Sequence, residues 1–406
     1  SGNVTIASGA NLDFGTGAGQ TNIVANNISG DGQIIQSTAG TDTRITGNVT
    51  STGGLTIESG TVRIGDGGTT GSYTGNTTVN ATAALAFARS NAYTHGGTIS
   101  GAGGVSKVNA GVVTLTGNNS YSGNTSLFDG ALVADHANAL GTGTISFSSG
   151  GGNNGTIRYT AASAGTDWAS RIQSSSGAIR LDTTGNNVNL AGIIDDSNVG
   201  GLVKSGTGTL TLGGANNYGG ATTVGAGTLL INGDQSGATG ILAVAANATL
   251  GGSGTIGGAT TISGILAPGN SIGTLTTVGD VTWNASVGNN WVFELGAAGL
   301  SLATPGTSDF LSVGGDFLRG TGSAWTFDFA GGGDLGWYKL VEWSGTSDFE
   351  LLNFSGVNLG GGFDSDFAIQ DDALYVNVVP EPSTYALLAL AAAGLGAHVV
   401  RRRRSR

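Results

Sequence analysis

The sequence predicts an all-β chain: a right-handed parallel β-helix, or β-solenoid, with a C-terminal β-rich cap and a single C-terminal hydrophobic helix. Three observations predict it. Residues 103–134 and 200–231, 97 positions apart, share thirteen identities in thirty-two places, including Lys107, Leu115, Asn119, Tyr121, Thr125 and Leu132. Common richness in Gly and Thr would not give that many. Within the later copy, GLVKSGTGTLTLGGANNYGGATTVGAGTLLING, Thr209 to Leu212 alternate polar with apolar, which is the period of a strand with one buried face. Leu210 and Leu212 should therefore point inward. Gly213 to Gly220 then supplies Gly and Asn, residues that tolerate corners, before Thr222 to Val224 and Gly227 to Ile231 resume the alternation. A flat turn of chain cannot cover its own apolar face, and stacking copies along an axis makes one continuous core.

Composition narrows the alternatives. Gly accounts for 77 of 406 residues, but at no strict third position and with only four Pro, so a collagen triple helix is excluded. Hydrophobic residues at 38% with strand alternation argue for a folded chain rather than a disordered one. The absence of Cys removes disulfides and thiolate metal sites, leaving backbone ladders to hold the fold. Net charge is −11 and five of the fifteen basic residues crowd into 401–406, so the body is more acidic than the whole and no nucleic-acid partner is expected. Met is missing, position 1 included, which suggests a chain read after a processed leader or a fragment.

Taken in order, residues 1–280 read as the repeat array. Short alternating runs at Asn3 to Ile6 and Thr43 to Val49 open it, and residues 53–87 form a looser copy of the block. Tyr73, Tyr121 and Tyr218 hold the same place at spacings of 48 and 97, so a degenerate copy is expected around 150–195, with TIRYT and NVNLAGIIDD as its remnants. A 48-residue unit is too long for one coil of roughly 20–30 residues and reads as two. Asn119 and Asn216 fall at corners, where their amides either ladder to neighbouring coils or merely supply turn geometry. APGNSIG, 267–273, reads as a boundary coil closing the array. Residues 281–379 hold five of the six Trp and read as a Trp-rich all-β cap or small β domain covering the solenoid's open end, with the rings packed inside rather than gripping sugars.

Pro380, Glu381 and Pro382 interrupt the last strand, because Pro cannot donate to a ladder. Tyr385 to Val400 follow as a nearly uncharged apolar run, and Arg401, Arg402, Arg403 and Arg404 come next. As a helix this run spans about 24 Å, slightly short of a hydrocarbon core of about 30 Å, a gap that snorkelling Arg can close. Basic flanks mark the cytoplasmic side, so the body should lie outside.

Two resemblances rest on these residues. VPEPSTYALLALAAAGLGAHVVRRRR resembles a PEP-CTERM sorting signal, the Pro-Glu-Pro, membrane helix and Arg cluster of exported proteins in many Gram-negative, exopolysaccharide-producing bacteria. The resemblance implies an exosortase as processing partner, Pro380, Glu381 and Pro382 as the recognition motif, Leu387 to Val400 as a transient inner-membrane anchor, and Arg401 to Arg404 as stop-transfer charges. Leu202 to Leu229 is similar to the autotransporter-associated β strand repeat, LxKxGxGTLTLxGxNxYxGxTxVxxGTL, over about 50–280; this implies architecture rather than activity.

Nothing in the sequence singles out a catalytic residue, cofactor or metal. His95, His136 and His398 have no second ligand at metal spacing. Asp195 and Asp196 are a paired-carboxylate candidate, but neighbours in a strand point to opposite faces, so solvated turn residues are the better reading. Asp364, Asp366, Asp371 and Asp372 could offer oxygens to Ca²⁺, without any EF-hand or nonapeptide pattern. The expected function is a non-enzymatic, exported surface or matrix protein, structural or adhesive, with exopolysaccharide or other surface glycans as candidate partners. The alternative is a polysaccharide-active β-helix lyase or hydrolase. A self-translocating autotransporter is disfavoured, because RRRRSR stands where a barrel's terminal strand would end.

Overall fold

The computed structural model describes residues 2–381 except 16, 151–153, 286, 287, 289 and 331. Among the described residues the fold is all-β, built of parallel ladders that pair the strands of one coil with those of the next. Two compact units emerge, Ser1–Ala243 and Val244–Arg406.

In the first unit, each strand pairs in parallel with the strand one turn away in sequence. Thr21–Val24, Asp42–Ile45, Thr61–Ile64, Ala84–Phe87, Gly104–Lys107, Thr125–Leu127 and Ile145–Phe147 make one sheet. A second face runs through Leu55–Ile57, Thr77–Val79 and Ile99–Ser100, and another through Tyr93–His95, Val112–Leu115, Ala131–Ala134 and onward to Leu202–Ser205. The period-2 pattern carries through to burial: Thr209–Leu212 alternates, and Leu210 and Leu212 are fully buried. Register then stacks like on like, with Leu190, Leu212 and Ile231 in one column and Val188, Leu210 and Leu229 in the next. Each such side chain contributes roughly 1.5–3 kcal/mol relative to exposure.

The repeated segments do not stack over one another. Gly104–Lys107 belongs to the seven-stranded sheet, whereas the matching Leu202–Ser205 belongs to the sheet that contains Tyr93–His95. An offset of 97 residues is therefore not a whole number of turns, and the copy is rotated onto another face. Its local bonds are nonetheless the same: the Tyr121 hydroxyl meets Thr125 Oγ1 and the Tyr218 hydroxyl meets Thr222 Oγ1, both at 2.7 Å. Between the copies, Thr156–Tyr159 and Val188–Leu190 continue the ladder, so the degenerate stretch still fills its coil positions. Here the turn lengthens. Val105 pairs with Thr125, twenty positions on, while Ile145 bridges to Ile172, twenty-seven on. The added chain tucks in Trp168, which stacks on Tyr159 with ring centroids 4.8 Å apart.

The corner asparagines ladder between coils. Buried Asn119 accepts from Ile99 N at 2.8 Å through Oδ1 and donates to Ala139 O at 2.7 Å through Nδ2, tying together three successive turns. Asn216 repeats this with Ile194 N at 2.6 Å and Gln235 Oε1 at 2.7 Å. Neither has positive φ, so turn geometry is not what requires Asn. Asn119→Ala strands a buried donor and a buried acceptor and should cost about 3 kcal/mol. Urea denaturation followed by far-UV circular dichroism checks this, with exposed Asn118→Ala expected to leave the midpoint in place.

In the second unit, parallel pairing runs through Thr260–Ile262, Val281–Trp283 and Phe317–Arg319, and through Thr274–Thr277, Phe310–Val313 and Gly336–Trp343. Residues 268–273 turn between two parallel strands, and the ladder continues beyond 280. Antiparallel strand pairing holds Ala373–Pro380 between Gly336–Trp343 and Phe363–Gln370, and isolated antiparallel bridges such as Leu295 to Ser308 occur earlier in the chain. The Trp-rich stretch is a buried aromatic core: Trp283 and Trp291 stack at 3.7 Å, with the Phe327 edge against Trp283 at 5.2 Å.

Helical structure among the described residues amounts to two 3₁₀ turns, Ala169–Arg171 and Leu351–Asn353. No helix there is long and apolar enough to cross a membrane. The expected C-terminal hydrophobic helix, with Leu387 to Val400, therefore has no counterpart in the described fold: together with Pro382 and Arg401 to Arg404 it lies outside the described residues.

Candidate functional site

The start of the expected sorting motif sits on the body itself. Pro380 closes the terminal hairpin opposite Phe363, where its missing N–H costs no ladder bond, and Glu381 N then donates to Gly362 O at 2.9 Å. The hairpin turns at Asp371 and Asp372, both in the left-handed region with φ of 49° and 55°. Glu381 is exposed and borders an open hollow of about 560 Å³ beside Asn358, Phe363 and Asp364.

The carboxylate candidates do not converge. Asp195 Oδ1 is taken up by its own turn, accepting from Ser197 Oγ at 2.5 Å, Ser197 N at 3.2 Å and Asn198 Nδ2 at 3.2 Å; Asp196 is exposed next to it. Asp364 and Asp366 point outward from one strand, away from the tip that holds Asp371 and Asp372. Among the described residues no group of three or more His, Asp or Glu could hold a metal ion. His95 is fully buried with Nδ1 against Tyr73 O at 2.9 Å, and burial lowers its pKa; half-buried His136 accepts from Asn138 N at 3.0 Å.

Two lysines that the sequence marks only as repeat identities, Lys107 and Lys204, brace the coils. Both are fully buried. Lys204 Nζ donates to Gly206 O at 2.7 Å, Ala226 O at 2.9 Å, Ser205 O at 3.2 Å and Thr183 Oγ1 at 3.0 Å. Lys107 Nζ likewise donates to Val108 O at 2.9 Å, Asp129 O at 3.1 Å and Asn109 O. Each ammonium thus clamps the carbonyls of its own corner to those of the next coil. Burial pulls both down to about 8, against the weaker pull of Asp129 on Lys107 and Asp182 on Lys204. The available signal was alternation: in LVKS, Leu202 faces inward, so Lys204 two places on faces inward too. These contacts brace the coil rather than perform chemistry.

Comparison with known proteins finds two family models. The passenger-associated transport repeat matches residues 42–64, 105–134 and 202–231, and the PEP-CTERM protein-sorting motif matches residues 378–404. The closing strands of the three repeat matches, Thr61–Ile64, Ala131–Ala134 and Gly227–Ile231, fall in three different sheets, so the repeat is a local unit indifferent to the face it occupies. The chain is also similar to the adhesin BmaC autotransporter of Brucella suis biovar 1 (strain 1330), 34% identical over 224 residues. That alignment takes in 53% of this chain and only 6% of the relative's length. The chain carries passenger-associated transport repeats and a PEP-CTERM sorting motif, and so is an exported, cell-surface β-solenoid protein.

Proposed function

We propose that the chain is a structural or adhesive element of the cell surface or extracellular matrix, delivered by an exosortase that reads Pro380, Glu381 and Pro382. Leu387 to Val400 serve as a transient membrane helix and Arg401 to Arg404 as its cytoplasmic stop. The observation that carries this is the pairing of a repeat body braced at its corners with a sorting motif that begins where its last strand ends. The coil is read as right-handed, and 281–379 as the stretch that closes the array. An adhesin among the relatives supports a binding role over turnover, and exopolysaccharide is the partner that such a surface would meet. The same arrangement leaves Asp195 and Asp196 as turn residues, and the body is read as no enzyme.

Fractionating cells that make the full chain or a chain lacking 380–406 tests the delivery. The full chain should appear at the surface with its terminus near Pro382 by mass spectrometry, and the shortened chain should be depleted there by about tenfold or more, the scale on which loss of a membrane anchor acts. A surface form that retains RRRRSR would mean a permanent anchor and would overturn the sorting reading.

A further inference from the structure

The turn at residues 268–273 carries more strain and more exposed apolar surface than a corner requires. Ser271 has φ of 100°, a conformation that costs a non-Gly residue about 1–3 kcal/mol and that clusters at binding sites. Ile272 beside it is 46% exposed. Behind the turn, buried Asp309 holds Gly273 N at 3.0 Å and Glu294 N at 2.8 Å, so the strained loop is pinned from inside. That carboxylate is pushed up to about 6, chiefly by burial, with Glu294 adding and the two N–H groups opposing.

Beside this loop opens a hollow of about 350 Å³, and its chemistry is mixed in a particular way. Ile272, Pro305 and Phe310 supply apolar surface, Thr274 an exposed hydroxyl, and Lys339 and Glu342 a donor and an acceptor. The last two are paired with each other, Lys339 Nζ also lies 5.4 Å over the Phe310 ring, and Ser312 Oγ steadies Glu342 Oε1 at 3.2 Å. One positive and one negative group cancel, so the hollow has no net attraction for an ion. Its size is at the lower end of small-ligand sites, and it is open enough for a unit of a longer chain to enter sideways. A pyranose ring matches these demands: one face of C–H groups for the apolar wall, and equatorial hydroxyls that both donate and accept for Glu342, Lys339 and Thr274.

The geometry points to this hollow as a binding site for a pyranose unit of a neutral polysaccharide. It rests on the adhesive or matrix reading above and gives that reading a place on the molecule. The test titrates the full chain, purified from cells, with cellopentaose, maltopentaose and a galacturonate pentamer, following saturation-transfer NMR. At least one neutral pentamer should bind saturably, the acidic one no better, and Ile272→Ser and Glu342→Gln should each weaken binding about fivefold or more, as loss of one wall or one hydrogen bond does. Both positions are partly exposed, so thermal melts of the variants should match the parent and separate lost binding from lost folding. No saturable neutral binding up to about 10 mM, a regime weaker than about −3 kcal/mol, or binding unchanged in both variants, or preference for the acidic pentamer, would each overturn the site. Surface delivery of the parent chain is followed in parallel: no binding by the parent with delivery intact refutes the site alone, and absent delivery refutes the adhesive or matrix reading on which it rests.

Discussion

Trp291→Ala is expected to lower the stability of the unit spanning Val244–Arg406 by about 4 kcal/mol, the scale of a buried Trp truncated to Ala. The ring is fully buried, lies 3.7 Å from Trp283 at an interplanar angle of 12°, and meets Phe317 at 6.1 Å, so its removal leaves a void between two other rings. Its strand, Trp291–Val292, is only two residues long, so backbone ladders offer little compensation. A second substitution separates packing from polarity. Trp291 Nε1 is buried without a hydrogen-bond partner, so Trp291→Phe loses ring volume but also relieves an unpaired N–H, and should cost about 1–2 kcal/mol. Five of the six Trp lie in this unit, so urea unfolding followed by tryptophan fluorescence reports on it. An unchanged midpoint in Trp291→Ala would mean that the aromatic cluster does not hold the unit.

How much of this was legible in the sequence follows from the range of each interaction. Alternation is local, and it placed Leu115, Leu210 and Leu212 inside. At the corners the sequence leaves two readings of Asn, an amide ladder or turn geometry, and only the packing of neighbouring coils selects the first, with the Asn119 amide bonding above and below at once. Which face each copy joins was not legible. That depends on the accumulated length of every intervening turn, and one enlarged turn at Trp168 shifts all later registers. The same holds for the continuation beyond 280, since a change of core filling from Leu and Val to Trp and Phe alters composition without altering the coil. At the sorting motif, the partner of Pro380 is hidden in the sequence because Asp371 and Asp372 read there as oxygens for Ca²⁺ rather than as a hairpin turn. They are the two positive-φ residues of a hairpin turn, and that turn brings Phe363 to Pro380. The lysines were overlooked because a charge suggests the surface, whereas carbonyls left over at a corner can hold an ammonium inside.

Lys204→Met should destabilise the unit Ser1–Ala243 by about 3 kcal/mol, because Met keeps the stem and leaves three carbonyls and the Thr183 hydroxyl without their donor. The pH dependence identifies the cause. Below about 8, both folded and unfolded states hold the proton on Lys204 and on Lys107. Above it the folded state releases protons that the unfolded chain keeps until about 10.5, so the unfolded state binds more protons and stability rises with pH across that window. Beyond about 10 the buried hydroxyls of Tyr121 and Tyr218, pushed up by burial, act in the opposite sense, since unfolding then lets them ionise. The gain is therefore confined to about pH 8–10. Between about pH 7.5 and 9.5 the parent chain should become more stable by about 1–2 kcal/mol per lysine, Lys204→Met should show about half the slope, and the Lys107→Met, Lys204→Met double variant almost none. A parent curve flat over that range would show that the carbonyl clamps keep both ammonium groups charged, with hydrogen bonding outweighing burial.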